Sequence, residues 1–99
     1  MAGYLLAPEA LEDLQNIWNF ISLDNVAAAD RQIDQLLEAF DWLAQWPGAG
    51  HRRADMGDRR IRFWPQGSYL IVYGEESVPL QIVAILHGAR DVPSVIRDR

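Results

Sequence analysis

Two arginines and one histidine are the residues of this sequence best suited to chemistry. Arg60 and Arg62 lie two positions apart in "RRIRFW", and His87 ends the apolar run "LQIVAILH". Arginine can hold a phosphate and histidine can move a proton near neutral pH, as RNA cleavage without a metal requires. A solvated surface, or a docking surface for an acidic partner peptide, would use the same residues. Their spacing leaves both interpretations open.

Other kinds of catalytic or ligand site find little support. His51 and His87 are the only histidines, and neither belongs to a spaced metal-ligand motif. The chain has no cysteine for a thiolate site, no glycine-rich phosphate loop and no G-x-S-x-G nucleophile turn. We therefore expect no metal and no cofactor.

The first half of the chain has the pattern of a short strand followed by two helices. "GYLLA" (3–7) is a candidate strand, and Pro8 suits the first turn of the helix that follows. "SLDN" (22–25) predicts a break with Asp24 or Asn25 as the next N-cap, and "WPGAG" (46–50) predicts the end of the second helix. Apolar residues recur at helical spacing in both segments: Leu11, Leu14, Ile17, Trp18 and Ile21, then Ile33, Leu36, Leu37, Phe40, Leu43 and Ala44.

The second half alternates between strand and turn patterns. "RRIRFW" (59–64), "YLIVY" (69–73) and "LQIVAIL" (80–86) are candidate strands. The turns between them, "PQGS" (65–68) and "GEESVP" (74–79), are short, which predicts an antiparallel meander. The middle strand is apolar on both faces, as a central strand would be.

These elements predict a single α+β domain over residues 1–99 with the order β-α-α-β-β-β. We expect an N-terminal helical hairpin to pack on one face of a small antiparallel sheet, because each carries an apolar face that must be buried. Strict alternation then places Arg60, Arg62 and His87 on the opposite face of the sheet. Trp64 shares the face of the arginines.

Charge is distributed unevenly along the chain. The net charge is −5, with eight acids against one arginine in residues 1–50 and eight arginines against six acids in residues 51–99. A net acidic chain is a poor candidate for tight non-specific nucleic-acid binding, and we expect no direct sequence-specific contact with nucleic acid. No signal peptide and no apolar run long enough for a membrane span is found, so we expect a cytoplasmic protein with no membrane partner.

Taken in order, the segments resemble the RelE/ParE superfamily of toxins from bacterial type II toxin–antitoxin systems, and the ParE branch in particular. The resemblance rests on P-x-x-G after the second helix, Y-x-I-V-Y in the central strand and the late H-G-x-R-D. It implies the same β-α-α-β-β-β fold. It also implies a cognate antitoxin whose disordered C-terminal segment wraps the toxin and folds on binding. ParE-type toxins inhibit DNA gyrase, whereas RelE-type toxins cleave mRNA in the ribosome.

The residues at two positions favour the ParE branch. RelE-type nucleases often carry an arginine in the central strand, where this chain has Leu70, and several have a tyrosine after the late histidine, where it has Gly88. The chain also contains no lysine, which is catalytic in some members. The resemblance therefore implies a non-enzymatic gyrase inhibitor with no catalytic residue. Under the alternative of a ribosome-dependent mRNA endonuclease, His87 would act with Arg60 and Arg62.

A third alternative is an inactive relative that only binds its antitoxin, since such toxins are usually basic and this chain is acidic. Arginine and tryptophan are enriched in protein interfaces, and on that ground four residues are candidates for partner binding: Arg60, Arg62, Trp64 and Arg90.

Overall fold

The computed structural model of the chain describes residues 3–53 and 60–88. Its elements follow the predicted order, and the predicted fold class is confirmed. Two helices pack on a four-stranded sheet. The elements are β1 (Tyr4–Leu6), α1 (Pro8–Ser22), α2 (Val26–Gln45), β2 (Ile61–Gln66), β3 (Tyr69–Gly74) and β4 (Leu80–His87).

Local sequence signals fix where the helices begin. Pro8 occupies the first turn of α1, where its missing N–H costs no intrahelical hydrogen bond. Asn25 caps α2, and its side-chain oxygen accepts a hydrogen bond of 3.0 Å from the Ala28 N–H. The two helices are therefore joined by a short link, and they form the predicted antiparallel hairpin.

The sheet has the strand order β1-β4-β3-β2. Strands β2, β3 and β4 form the predicted antiparallel meander, with β3 in a central position. The sheet is mixed rather than wholly antiparallel, because β1 pairs in parallel with β4 over Leu80–Ile82. The connection between these parallel strands runs through the helical hairpin and then through β2 and β3.

The turn between β2 and β3 is tighter than the predicted four-residue turn, because β2 continues through Gln66. Gly67 has a φ of +60°, and no other described residue has a positive φ. The two-residue loop of Gly67 and Ser68 therefore has a positive φ at its first position only, which is the pattern of a type II′ turn. Pro65 lies within β2, an edge strand. The Phe63 N–H and C=O point outward to His51, and by alternation the Pro65 nitrogen also points away from β3.

An irregularity in β4 reverses its alternation. Tyr73 pairs with Ile82 and Val72 pairs with Ala84, so Val83 is an extra residue of the bulge type. The simple alternation predicted from the sequence fails here. Leu80, Ile82 and Ile85 therefore pack in the cluster beneath the helices, while Ala84 and Leu86 pack on the other side.

Both faces of the sheet carry buried apolar residues. The larger cluster joins α1 and α2 to Ile71 and Tyr73 of β3, and the smaller one gathers Phe63 and Val72 with Ala84 and Leu86. Alternation with Arg62 predicts that Phe63 faces the helices, but Phe63 packs on the far face. The reason is that the far face is itself apolar, so the apolar residues of β2 have a second place to be buried.

The Tyr73 hydroxyl anchors the loop that leaves α2. This fully buried side chain donates to the Pro47 carbonyl at 2.7 Å and accepts from the Gly50 N–H at 2.8 Å. Burial raises the pKa of Tyr73, which keeps the hydroxyl protonated and able to donate. The P-x-x-G motif and the last tyrosine of Y-x-I-V-Y therefore meet in one hydrogen-bonded contact.

Gly50 has no room for a side chain. A Cβ atom there would lie 2.5 Å from the Tyr73 hydroxyl and 2.9 Å from the Phe63 carbonyl oxygen. We expect Gly50→Ala to lower the free energy of unfolding by about 2 kcal/mol, because the loop must shift and lose its hydrogen bonds. Urea denaturation measures this. Gly48→Ala is the control, since no atom lies within 4 Å of its Cβ position. Equal effects of the two substitutions would contradict the anchor.

Candidate functional site

Arg62 lies on the helix-covered face of the sheet, not on the opposite face as predicted. It alternates with Phe63, which belongs to the far cluster, and shares a face with Trp64, which packs against the cluster beneath the helices. The predicted sharing of a face by Arg62 and Trp64 is therefore correct. The face was wrongly assigned because Arg62 has a carboxylate partner on the helix side of the sheet.

That partner is Glu75. The Arg62 Nε donates to Glu75 Oε2 at 2.6 Å, and its Nη1 donates to the Gly50 carbonyl at 2.7 Å. Arg52 pairs with the second oxygen of the same carboxylate. The side chains of Arg62 and Glu75 are only 22% and 14% exposed, so the pair is largely withdrawn from solvent. The Arg62 guanidinium therefore links the loop after α2, at Gly50, to the β3–β4 turn, at Glu75.

Arg60 stands outside the strand, one residue before β2 begins. It is exposed and pairs with Glu76 in the same β3–β4 turn. Exposed pairs of this kind contribute little to stability, so Arg60 is the better placed of the two arginines to meet a partner. Arg90, another predicted partner-binding residue, lies outside the described residues.

His87 is at the opposite end of the sheet from both arginines. It pairs with Tyr69, whereas Arg62 pairs with Tyr73, four residues further along β3. Four residues of strand span roughly 13 Å. The bulge at Val83 turns His87 onto the helix side, which is why the predicted placement on the far face is wrong. The two arginines and the histidine are therefore not brought together.

His87 instead borders a groove between α1 and the ends of β3 and β4. The groove has a volume of about 630 Å³, and α1 contributes the apolar wall. The Asp13 carboxylate accepts a hydrogen bond of 3.0 Å from the Ile85 N–H, at a point on β4 beyond its pairing with β1. Other residues that line the groove are Asn16, Ile17, Phe20, Ile21 and Tyr69.

The tip of the helical hairpin next to this groove is strongly apolar. Phe20 is 74% exposed and Leu23 is 87% exposed, and Val26 at the start of α2 adds to them. These three residues, which we term the tip patch, were not singled out from the sequence. The available signal was Phe20, a large aromatic residue that lies off the apolar stripe of α1.

A second exposed aromatic surface lies at the other end of α2. Trp42 and Trp64 have ring centroids 4.9 Å apart, so their contact joins α2 to β2. Trp42 remains 42% exposed and Trp46 remains 60% exposed. Both side chains therefore remain partly exposed to solvent at this end of α2.

Within residues 3–53 and 60–88, no group of three or more His, Asp or Glu side chains is arranged to hold a metal ion. No helix in the same part of the chain is long and apolar enough to cross a membrane.

Similar folds occur among solved structures. The chain of a chromosomal ParDE TA system from P. aeruginosa superposes with a TM-score of 0.71 at 17% identity, covering 88% of this chain and 96% of that one. At this identity the similarity concerns the fold, which places the protein in a class of small α+β folds with two helices on a four-stranded sheet. A comparison with curated protein sequences found no match.

The sequence itself gives the family. Residues 4–92 match the family model described as the ParE toxin of type II toxin–antitoxin system, parDE. The match spans all the described helices and strands. The chain therefore belongs to the ParE toxin family, and the predicted resemblance is confirmed.

The Arg62–Glu75 pair makes the stability of the fold sensitive to acid. The hydrogen bond from Arg62, with the nearby charge of Arg52, lowers the pKa of Glu75 below its usual 4.5. A lowered pKa in the folded state contributes stability above the unfolded pKa, and this is lost as the pH falls through the folded value. We expect Glu75→Gln to unfold at a lower urea concentration at pH 7, with the difference narrowing as the pH falls from about 4.5 towards 3.

The control for this prediction is Glu76→Gln, which removes the exposed partner of Arg60 and should shift the urea midpoint little at any pH. A constant gap between wild type and Glu75→Gln across the pH range would contradict the assigned role of Glu75.

Proposed function

We propose that this protein is a ParE-like toxin that inhibits DNA gyrase by binding it, without catalysis, and that a cognate antitoxin neutralises it. Membership of the ParE toxin family carries this proposal. Its target, a cytoplasmic enzyme acting on DNA, would place the toxin in the cytoplasm.

The separation of the polar residues supports a non-enzymatic mode of action. Metal-free RNA cleavage needs a proton-transfer group and a phosphate-binding cation within hydrogen-bond reach of one substrate. Along the strand direction, the position at which His87 pairs with β3 lies roughly 13 Å from the position at which Arg62 pairs with it. The Arg62 guanidinium is already engaged by Glu75 and Gly50. The ribosome-dependent nuclease and the inactive relative remain as outcomes of the test.

The tip patch and the adjoining groove are suited to the antitoxin. Exposed apolar residues that adjoin a groove mark partner-binding surfaces on small proteins. Phe20 borders both the groove with His87 and the recess formed by Leu23 and Ala28. A disordered antitoxin segment that folds on binding would bury these side chains and gain the free energy that offsets its ordering.

Induction of the toxin without antitoxin tests the mode of action. We expect growth arrest with a DNA-damage response and intact mRNA, and we expect purified toxin to inhibit gyrase supercoiling. His87→Ala should retain this activity, as should the control His51→Ala at the other histidine. Codon-linked mRNA cuts that disappear in a folded His87→Ala protein would establish the nuclease alternative. Normal growth would favour the inactive relative.

Binding of the cognate antitoxin tests the tip patch. We expect Phe20→Ser to weaken this binding about tenfold, because an aromatic anchor is lost from the interface. Val78→Ser is the matched control: it removes an exposed apolar side chain, 97% exposed, from a turn outside the groove. Isothermal titration calorimetry gives both affinities. Unchanged affinity of Phe20→Ser would place the antitoxin elsewhere.

A further inference from the structure

The groove between α2 and β2 differs from the groove beside His87 in position and in chemistry. Trp42 and Trp64 form its aromatic floor, and it has a volume of about 410 Å³. Glu38 lies one helical turn before Trp42, on the same side of α2. Gln35 on the helix wall and Gln66 on the strand wall complete the polar rim.

The charge of this groove is uncompensated within the described residues. Arg52 and Arg62 are already engaged by Glu75, and Arg60 is engaged by Glu76. Glu38 makes no ion pair there and is exposed at the rim. No described arginine pairs with Glu38, so this carboxylate is open to a cation supplied by a partner.

The tryptophans specify which cation fits best. An arginine guanidinium is planar, stacks on an indole face, and can present its edge to a carboxylate at the same time. Trp42 exposes part of its ring within one helical turn of Glu38, so both contacts are within reach of a single side chain. Lysine would supply the charge without the stacked plane.

The two glutamines indicate the form of the partner. Neither side-chain amide makes a hydrogen bond within the described part of the chain, and they stand on opposite walls of the groove. A side-chain amide offers both a donor and an acceptor, which matches the C=O and N–H of an extended main chain.

We propose that the α2–β2 groove binds an extended segment of a partner protein that inserts an arginine between Trp42 and Glu38. The charged residue of this groove is an acid, so the groove would attract a basic segment, whereas a docking surface for acidic peptides would carry basic residues. The proposal requires neither toxicity nor gyrase binding, so it stands or fails separately from the function proposed above.

The test uses the full chain labelled with nitrogen-15 and the peptide acetyl-Gly-Leu-Arg-Leu-Gly-amide. The chain has four tryptophans, whose indole N–H signals report position. We expect the Trp42 and Trp64 signals to shift on titration. Trp18 donates to Asp30 on the other side of α2 and should stay in place. The same peptide with citrulline for arginine keeps the shape without the charge and should bind at least about fivefold more weakly.

Two matched variants separate a site from general electrostatic attraction. Glu38→Gln should weaken binding of the arginine peptide about fivefold, whereas Glu12→Gln, which removes an exposed acid from α1 and lowers the charge equally, should change it less than about twofold. Equal losses in the two variants, equal binding of the citrulline peptide, or shifts confined to the groove beside His87 would each overturn the proposal. Shifts of Trp42 that depend on protein concentration alone would assign the groove to a second copy of the chain.

Discussion

The contact between the Tyr73 hydroxyl and the loop after α2 holds the helical and sheet halves of this protein together. The oxygen both donates to Pro47 and accepts from Gly50, so it satisfies two main-chain groups that a buried loop would otherwise leave unpaired. With Gly50 fixed, its carbonyl is in place for Arg62, and Arg62 in turn positions Glu75. One phenol therefore links the loop after α2, through Gly50 and Arg62, to the β3–β4 turn.

This arrangement gives a physical reading of two of the motifs on which the family resemblance rests. The proline and glycine of P-x-x-G supply a carbonyl and an N–H at the spacing that one hydroxyl can bridge, and glycine alone fits against the tyrosine ring. The last residue of Y-x-I-V-Y supplies that hydroxyl. These residues stabilise the fold, so their presence identifies a ParE-like structure and says little about its target.

The sequence predicted the elements well and their pairing less well. Helical periodicity, Pro8, the Asn25 cap and the short turns are local signals, and each led to an element that the structure contains. The parallel pairing of β1 with β4 and the bulge at Val83 depend on contacts between distant segments, which a local pattern does not encode. A single extra residue was enough to move His87 to the other face of the sheet.

The candidate site was harder to predict for the same reason. The sequence gives no sign that Arg62 has a partner, because Glu75 and Gly50 are more than ten residues away and are brought to it only by the fold. The tip patch consists of Phe20, which lies off the apolar stripe of α1, and of Leu23 and Val26 at the link between the helices, where helical periodicity gives no signal.

The outward-facing nitrogen of Pro65 bears on how such molecules can assemble. His51 already occupies the main-chain groups of Phe63, and Pro65 offers no donor beyond it, so a further strand finds little to pair with along β2. The remaining edge of the sheet is the three-residue β1. Within the described residues, strand addition is therefore favoured at one edge only, which allows pairing with one neighbour and gives no continuous sheet through both edges.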